Sequence, residues 1–161
     1  MGCSHYQPVR LRPAIKKDLA EMLVIERSSF GEDSYRKELI EQLLSGQEFH
    51  NVIAEMDDER VGYATFFEDA MRKRARLITI AVKPDYRNRG LAKAMLAFLE
   101  KEMQGQGLHT VSLEVGTSNL PATNLYLSQG YRIMGTIPNY YGKGKDAIYM
   151  EKTVDRKDEK S

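Results

Sequence analysis

The order of β-rich and helix-period segments predicts an α+β fold, a mixed central sheet with elements in the order β-αα-βββ-α-β-α-ββ. Three observations carry it. Runs rich in β-branched and aromatic residues are set apart by Gly, Pro, Asp and Asn. Apolar residues three and four apart mark the helices between them. One strand–helix–strand unit in the middle demands a crossover, which makes the strands over 76–82 and 110–115 parallel. With 161 residues, the chain suits a single domain over 1–153, followed by a charged tail over 154–161 expected to be disordered.

The elements follow in order. VRLRPA (9–14) alternates like a strand, and Pro13 marks a strand end or edge. A helix is expected over about 15–28, with Leu19, Met22, Leu23 and Glu26 on successive turns. FGEDS breaks it, and YRKELIEQLLSG reads as a second helix ending at Gly46. NVIAEM and VGYATFFE, joined by DDER, form a hairpin. A polar turn, DAMRKRA, leads into RLITIAV (76–82), whose nearly unbroken apolar run predicts a strand buried on both faces. Leu91, Met95, Phe98, Leu99 and Met103 then form an apolar helix face opposite Lys93, Glu100 and Lys101, and GQG stops that helix. HTVSLEV (109–115) is a strand and NLPATNLYLSQG a short helix closed by Gly130. YRIMGTI and DAIYMEKTV are the last strands, around the loop PNYYGKGK.

Composition narrows the function classes. A net charge of +1 excludes wholesale polyanion binding but permits a local basic site. The single cysteine, Cys3, forms no intrachain disulfide, and the cytoplasm is the expected compartment. No run of about 18 apolar residues predicts a membrane span. The start MGCSHY fails the myristoylation pattern at Tyr6. Cys3 and His5 are too few for a metal site, and His50 and His109 have no metal-spaced companions. The basic stretch MRKRAR (71–76) reads as a solvated turn rather than a specific nucleic-acid contact.

The stretch YRNRGLAKAM (86–95) poses the chemical question. It opens an amphipathic helix with arginines where acidic residues are usual. A helix N-terminus presents unpaired N–H groups and partial positive charge. Arg87 and Arg89 add full charges, Gly90 removes a Cβ, and Ala92 is small. The fitting ligand is a phosphate or pyrophosphate. Neither a nucleotide-hydrolase loop nor a dinucleotide turn matches.

R-x-x-G-x-A after a buried strand, together with the element order, resembles the GCN5-related N-acetyltransferase (GNAT) superfamily across about residues 9–153. The resemblance implies acetyl-CoA as cofactor. Arg87, Asn88, Arg89, Gly90, Leu91, Ala92 and Lys93 would hold its pyrophosphate, and the strand end Ile80, Ala81 and Val82 its pantetheine arm. This implies that the two parallel strands splay there. The stretch LEVGTSNLPATNLYLSQGY resembles the amino-terminal acetyltransferase branch, which includes the RimI-type and archaeal enzymes. By that resemblance Glu114 is the base, acting through water, Tyr126 the acid for the departing thiolate, and Asn119 a contact to pantetheine. Tyr140 and Tyr141 would cover a peptide N-terminus. Phe30, Gly31 and Glu32 would wall its first side chains, with Gly31 where relatives often carry proline.

The implied activity is direct acetyl transfer to the α-amino group of protein or peptide N-termini, ribosomal or nascent chains among them. No acyl-enzyme forms, and a partner subunit stays open. An α-amino group of pKa near 8 is about one-tenth neutral at pH 7, against roughly one in 2,500 for a lysine amine. A single carboxylate helped by water suits the first better. Two other readings remain beside it: acetylation of lysine side chains or small amines, and a non-catalytic CoA-binding module.

Overall fold

The computed structural model describes residues 8–154. Cys3 and His5, and the tail beyond Val154, lie outside the described residues. The elements are β1 (Arg10–Pro13), α1 (Leu19–Phe30), α2 (Lys37–Ser45), β2 (Phe49–Met56), β3 (Glu59–Asp69), β4 (Arg74–Val82) and α3 (Leu91–Gly105). They continue with β5 (Thr110–Gly116), α4 (Leu120–Ser128), β6 (Arg132–Ile137) and β7 (Ala147–Thr153). This is the predicted order, with 3-10 turns added at Lys16–Asp18, Gly31–Asp33 and Pro84–Tyr86. The strands form one mixed sheet, β1-β2-β3-β4-β5-β7-β6. The chain divides into two compact units, one of Met1–Thr65 with Thr79–Leu99, the other of Phe66–Ile78 with Glu100–Ser161. Among the described residues, no helix is long and apolar enough to cross a membrane.

In the first unit, β1 pairs antiparallel with β2 from Arg10↔Glu55 to Pro13↔Val52. Pro13 ends a strand at the sheet's edge, where its missing N–H does no harm. The β2–β3 turn places Asp57 and Asp58 at φ 53° and 61°, the left-handed pair of a two-residue hairpin turn. Met22, Ile25, Ile40, Leu43, Ile53 and Leu96 are buried in the core.

The first helix differs from expectation at both ends. Lys16–Asp18 forms a 3-10 turn instead of α-helix, because Asp18 is turned inward. Its carboxylate accepts two Arg12 bonds at 2.8 Å, one from Arg60 at 2.8 Å and one from the Ile15 N–H at 2.8 Å. The Arg12 hydrogen bonds chiefly hold its pKa down, to about 2. Gly46 ends α2, but with φ −74° rather than a left-handed turn. A Cβ there would stand 2.7 Å from the Phe49 ring, so close packing is what requires glycine.

β4 also corrects the sequence reading. Ala75, Leu77, Thr79 and Ala81 are buried, but Arg76 is exposed and Arg74, Ile78 and Ile80 are half-buried. The strand is therefore buried on one face only. It begins at Arg74, so the last residues of the expected polar turn belong to the sheet.

In the second unit, β5 pairs antiparallel with β7 along its whole length, from Thr110↔Thr153 to Gly116↔Ala147. Its parallel pairing with β4 covers only Arg74↔Thr110, Ala75↔Val111 and Arg76↔Ser112. Glu100, expected on the polar face of α3, is buried instead. It accepts the Tyr131 hydroxyl at 2.7 Å and Lys152 Nζ at 2.8 Å, so its charge is paired.

Candidate active site

The first unit carries the residues expected from sequence to bind an anion. After β4, the Lys83 N–H donates to Val61 O at 2.8 Å, and a 3-10 turn leads into Arg87–Gly90. Asn88 and Gly90 take φ 63° and 80°. The helix's first bond runs from the Ala94 N–H to Gly90 O, 3.0 Å. Among the described residues, none of the amide N–H groups from Asn88 to Lys93 has a hydrogen-bond acceptor. Six consecutive free donors at a helix start make an anion cradle. A Cβ on Gly90 would meet nothing within 4 Å, so its side of the turn is open.

The flanking arginines are positioned from within the same unit. Arg87 Nε donates to Val82 O at 3.0 Å, which ties the loop to the end of β4. Arg89 donates to Asp85 O at 3.2 Å and lies 5.0 Å from the Tyr86 ring centroid. Ile80 is half-buried, while Ala81 and Val82 are buried; Val82 O also accepts Ser29 Oγ at 3.3 Å. Leu91 is buried and roots the helix, Ala92 is half-buried, and Lys93 is exposed.

The loop after α1 belongs to this unit too. Phe30 and Glu32 are exposed, and Gly31 turns the chain at φ 53°, ψ −119°. Buried Glu26 anchors the loop from below: it accepts the Tyr63 hydroxyl and the Tyr35 N–H, the latter at 2.9 Å. Burial and the neighbouring Glu26 carboxylate push the Tyr63 phenol far up, so Tyr63 stays a donor. Sequence periodicity placed Glu26 on the apolar face and left its partners unseen.

The second unit holds Glu114 and Tyr126, the residues expected from sequence to act as base and acid. Glu114 projects from β5, and its Oε1 accepts Arg76 Nε at 2.9 Å and the Tyr140 hydroxyl at 3.3 Å. Arg76 Nη2 donates to the Tyr140 oxygen at 2.7 Å. Tyr141 donates to the backbone oxygen of Glu114 at 3.1 Å and packs edge-on against Tyr140, with centroids 4.9 Å apart. Glu114, Tyr140 and Tyr141 are thus brought together. Arg76, read from sequence as part of a solvated basic turn, is the fourth member.

The tyrosine loop is shaped by its own polar groups. The Asn139 N–H donates to Asp146 at 2.9 Å, the Gly144 N–H to Asn139 Oδ1 at 2.7 Å, and the Tyr141 N–H to Lys145 O at 3.0 Å. Asn119 caps α4, its side chain accepting the Ala122 N–H at 3.2 Å. Tyr126 is buried on α4, and burial pushes its phenol well above the usual tyrosine value. Its hydroxyl bonds to no described residue, yet no buried side-chain polar atom among them lacks a partner. The ring is therefore packed while the hydroxyl reaches the surface. A neutral phenol with an open hydroxyl can donate a proton, and a carboxylate with one free oxygen can accept one.

Comparison with known proteins bears on the family and the fold. The family model described as "Acetyltransferase (GNAT) family" matches residues 16–131. The N-alpha-acetyltransferase of Sulfurisphaera tokodaii is 31% identical over 152 residues, covering 88% of this chain and 90% of that protein. The [ribosomal protein bS18]-alanine N-acetyltransferase of Salmonella typhimurium is 34% identical over 108 residues, 65% of this chain and 72% of its own. The crystal structure of the ribosomal-protein-S18-alanine N-acetyltransferase from Escherichia coli superposes with TM-score 0.83 at 26% identity, covering 92% of this chain and 95% of that one. On the family match, the fold and these relatives together, the chain belongs to the GNAT family of acetyltransferases.

Proposed function

We propose that this protein transfers the acetyl group of acetyl-CoA to the α-amino group of protein or peptide N-termini, in the cytoplasm. One observation carries the cofactor half: six unbonded amides, Asn88 to Lys93, between fixed guanidinium groups at the start of α3. The pyrophosphate accepts from these donors, and the backbone of Ile80, Ala81 and Val82 receives the pantetheine arm, with Asn119 offering its amide nitrogen.

The amine nitrogen attacks the thioester carbonyl, the C–S bond breaks, and an amide and a thiolate result. Glu114 takes the amine's proton, directly or through water, and Tyr126 returns one to the thiolate sulfur. Backbone N–H groups of β4 stabilise the oxyanion. Tyr140 and Tyr141 cover the peptide N-terminus, and Phe30, Gly31 and Glu32 line its first side chains. The relatives named for N-alpha and ribosomal-protein-alanine acetylation favour this acceptor over a lysine amine.

The test is mass spectrometry of acetyl transfer to short peptides varied at residues one and two. Peptides with a free N-terminus gain one acetyl group, and blocking that terminus abolishes the gain even when lysine is present. Transfer that survives blocking and needs lysine overturns the acceptor assignment. Tight CoA binding without turnover of any amine would leave only a binding module.

A further inference from the structure

The Glu114 carboxylate is held on one side only. Arg76 Nε and the Tyr140 hydroxyl both reach Oε1, and Arg76 Nη2 also reaches the Tyr140 oxygen. Three side chains, from β4, β5 and the β6–β7 loop, close a small hydrogen-bonded ring. Oε2 accepts from no described residue. Two donors converging on one oxygen remove the carboxylate's freedom to exchange its oxygens and fix the direction of the other. A guanidinium suits this task because its rigid fork reaches a carboxylate and a phenol at once; an ammonium is a point charge.

Arg76 shares its sheet face with other polar and charged groups. The sheet register puts Arg74, Ser112, Tyr149 and Glu151 on the same face as Arg76 and Glu114. Of these, Arg74 is engaged with Glu151 and with the Tyr149 hydroxyl, the latter at 3.0 Å. Two arginines two residues apart thus serve two separate carboxylates, and only Arg76 touches the tyrosine loop through the bonds described.

We propose that Arg76 is a positioning residue for acetyl transfer, a role that rests on the N-terminal acetyltransferase reading. It aims Glu114 Oε2 at the acceptor amine or its water, and through Tyr140 it links that aim to the closing of the tyrosine loop over a peptide. Its charge has a second effect: a cation beside the base disfavours the ammonium form of the acceptor and favours the neutral, reactive amine. Removing that charge therefore moves the acid limb of the rate profile to higher pH, with Glu114, Tyr140, Tyr141, Arg74, Tyr149 and Glu151 as the surrounding titratable and charged groups.

The experiment measures kcat, KM and the pH profile of full-chain Arg76→Met, Arg76→Lys and Arg74→Met on one accepted peptide, with amide exchange over 138–146. Arg76→Met should lower kcat about tenfold or more, shift the acid limb upward and raise exchange in the loop. Arg76→Lys should recover part of kcat, and Arg74→Met should match the parent. Arg76→Met and Arg74→Met agreeing in kcat and pH profile would overturn the proposal. If the parent acetylates no peptide, the N-terminal reading fails on its own. Loop exchange then still tests the clamp, and no increase in either Arg76 variant overturns it.

Discussion

In the proposed mechanism, Glu114 and Tyr126 divide the proton work by their surroundings. Glu114 keeps one oxygen engaged and one free, while burial raises the Tyr126 phenol and keeps it protonated across neutral pH. Glu114→Gln should reduce kcat most at low pH, where little of the amine is neutral and a base helps most. A pH series of initial rates checks this, and unchanged rates remove Glu114 from the mechanism. Tyr126→Phe should lower kcat with little change in CoA affinity, because the ring is packed and only the hydroxyl is lost. Calorimetric CoA titration beside the rate assay separates the two effects.

In the proposed function, cofactor binding turns on the strand-to-helix loop. Gly90 has φ 80° with open space where a Cβ would point. Gly90→Ala should therefore destabilise the fold by about 1 kcal/mol through backbone strain alone. It should also weaken CoA binding, since the methyl enters the space left for phosphate. Gly105→Ala, at the last residue of α3 with equal open space and no positive φ, should instead stabilise by roughly 0.5 kcal/mol. Thermal melts of the two variants, with and without CoA, give opposite signs.

This loop was legible in the sequence because its signal is local: arginines, a glycine and a small residue within one turn after an apolar strand. The element order was legible for the same reason, since helix and strand periods repeat within a few residues. What escaped were ionised groups whose partners lie far along the chain. Glu26 meets Tyr63 37 residues away, Glu100 meets Tyr131 31 away, and Arg76 meets Glu114 38 away. A periodic pattern names the face a side chain occupies, not what the fold brings opposite it. For Glu26 and Glu100 a carboxylate at a helix position gave no hint of a buried phenol waiting.

At the scale of the molecule, acid should weaken the fold through its paired carboxylates. Asp18 is fully buried among Arg12, Arg60 and the Ile15 amide, and its pKa falls from 3.8 to about 2. A depressed carboxylate stabilises the folded state above its unfolded pKa, and that contribution fades as pH falls from about 4 toward 2. The loss amounts to about 2 kcal/mol. Glu151 adds to it in the same direction, its pKa lowered by the Tyr149 hydroxyl and by Arg74. Urea melts between pH 5 and 2 should show this decline, and Asp18→Asn should flatten it while lowering stability at neutral pH.

The account as a whole depends on the pyrophosphate of coenzyme A settling on the free amides of residues 88–93. Calorimetric binding of CoA against pantetheine, which lacks the phosphates, tests that most directly. CoA should bind at least about tenfold tighter, with the advantage shrinking in Arg87→Ala and as salt rises. Equal affinity for the two ligands, or an advantage indifferent to Arg87 and to salt, would contradict it.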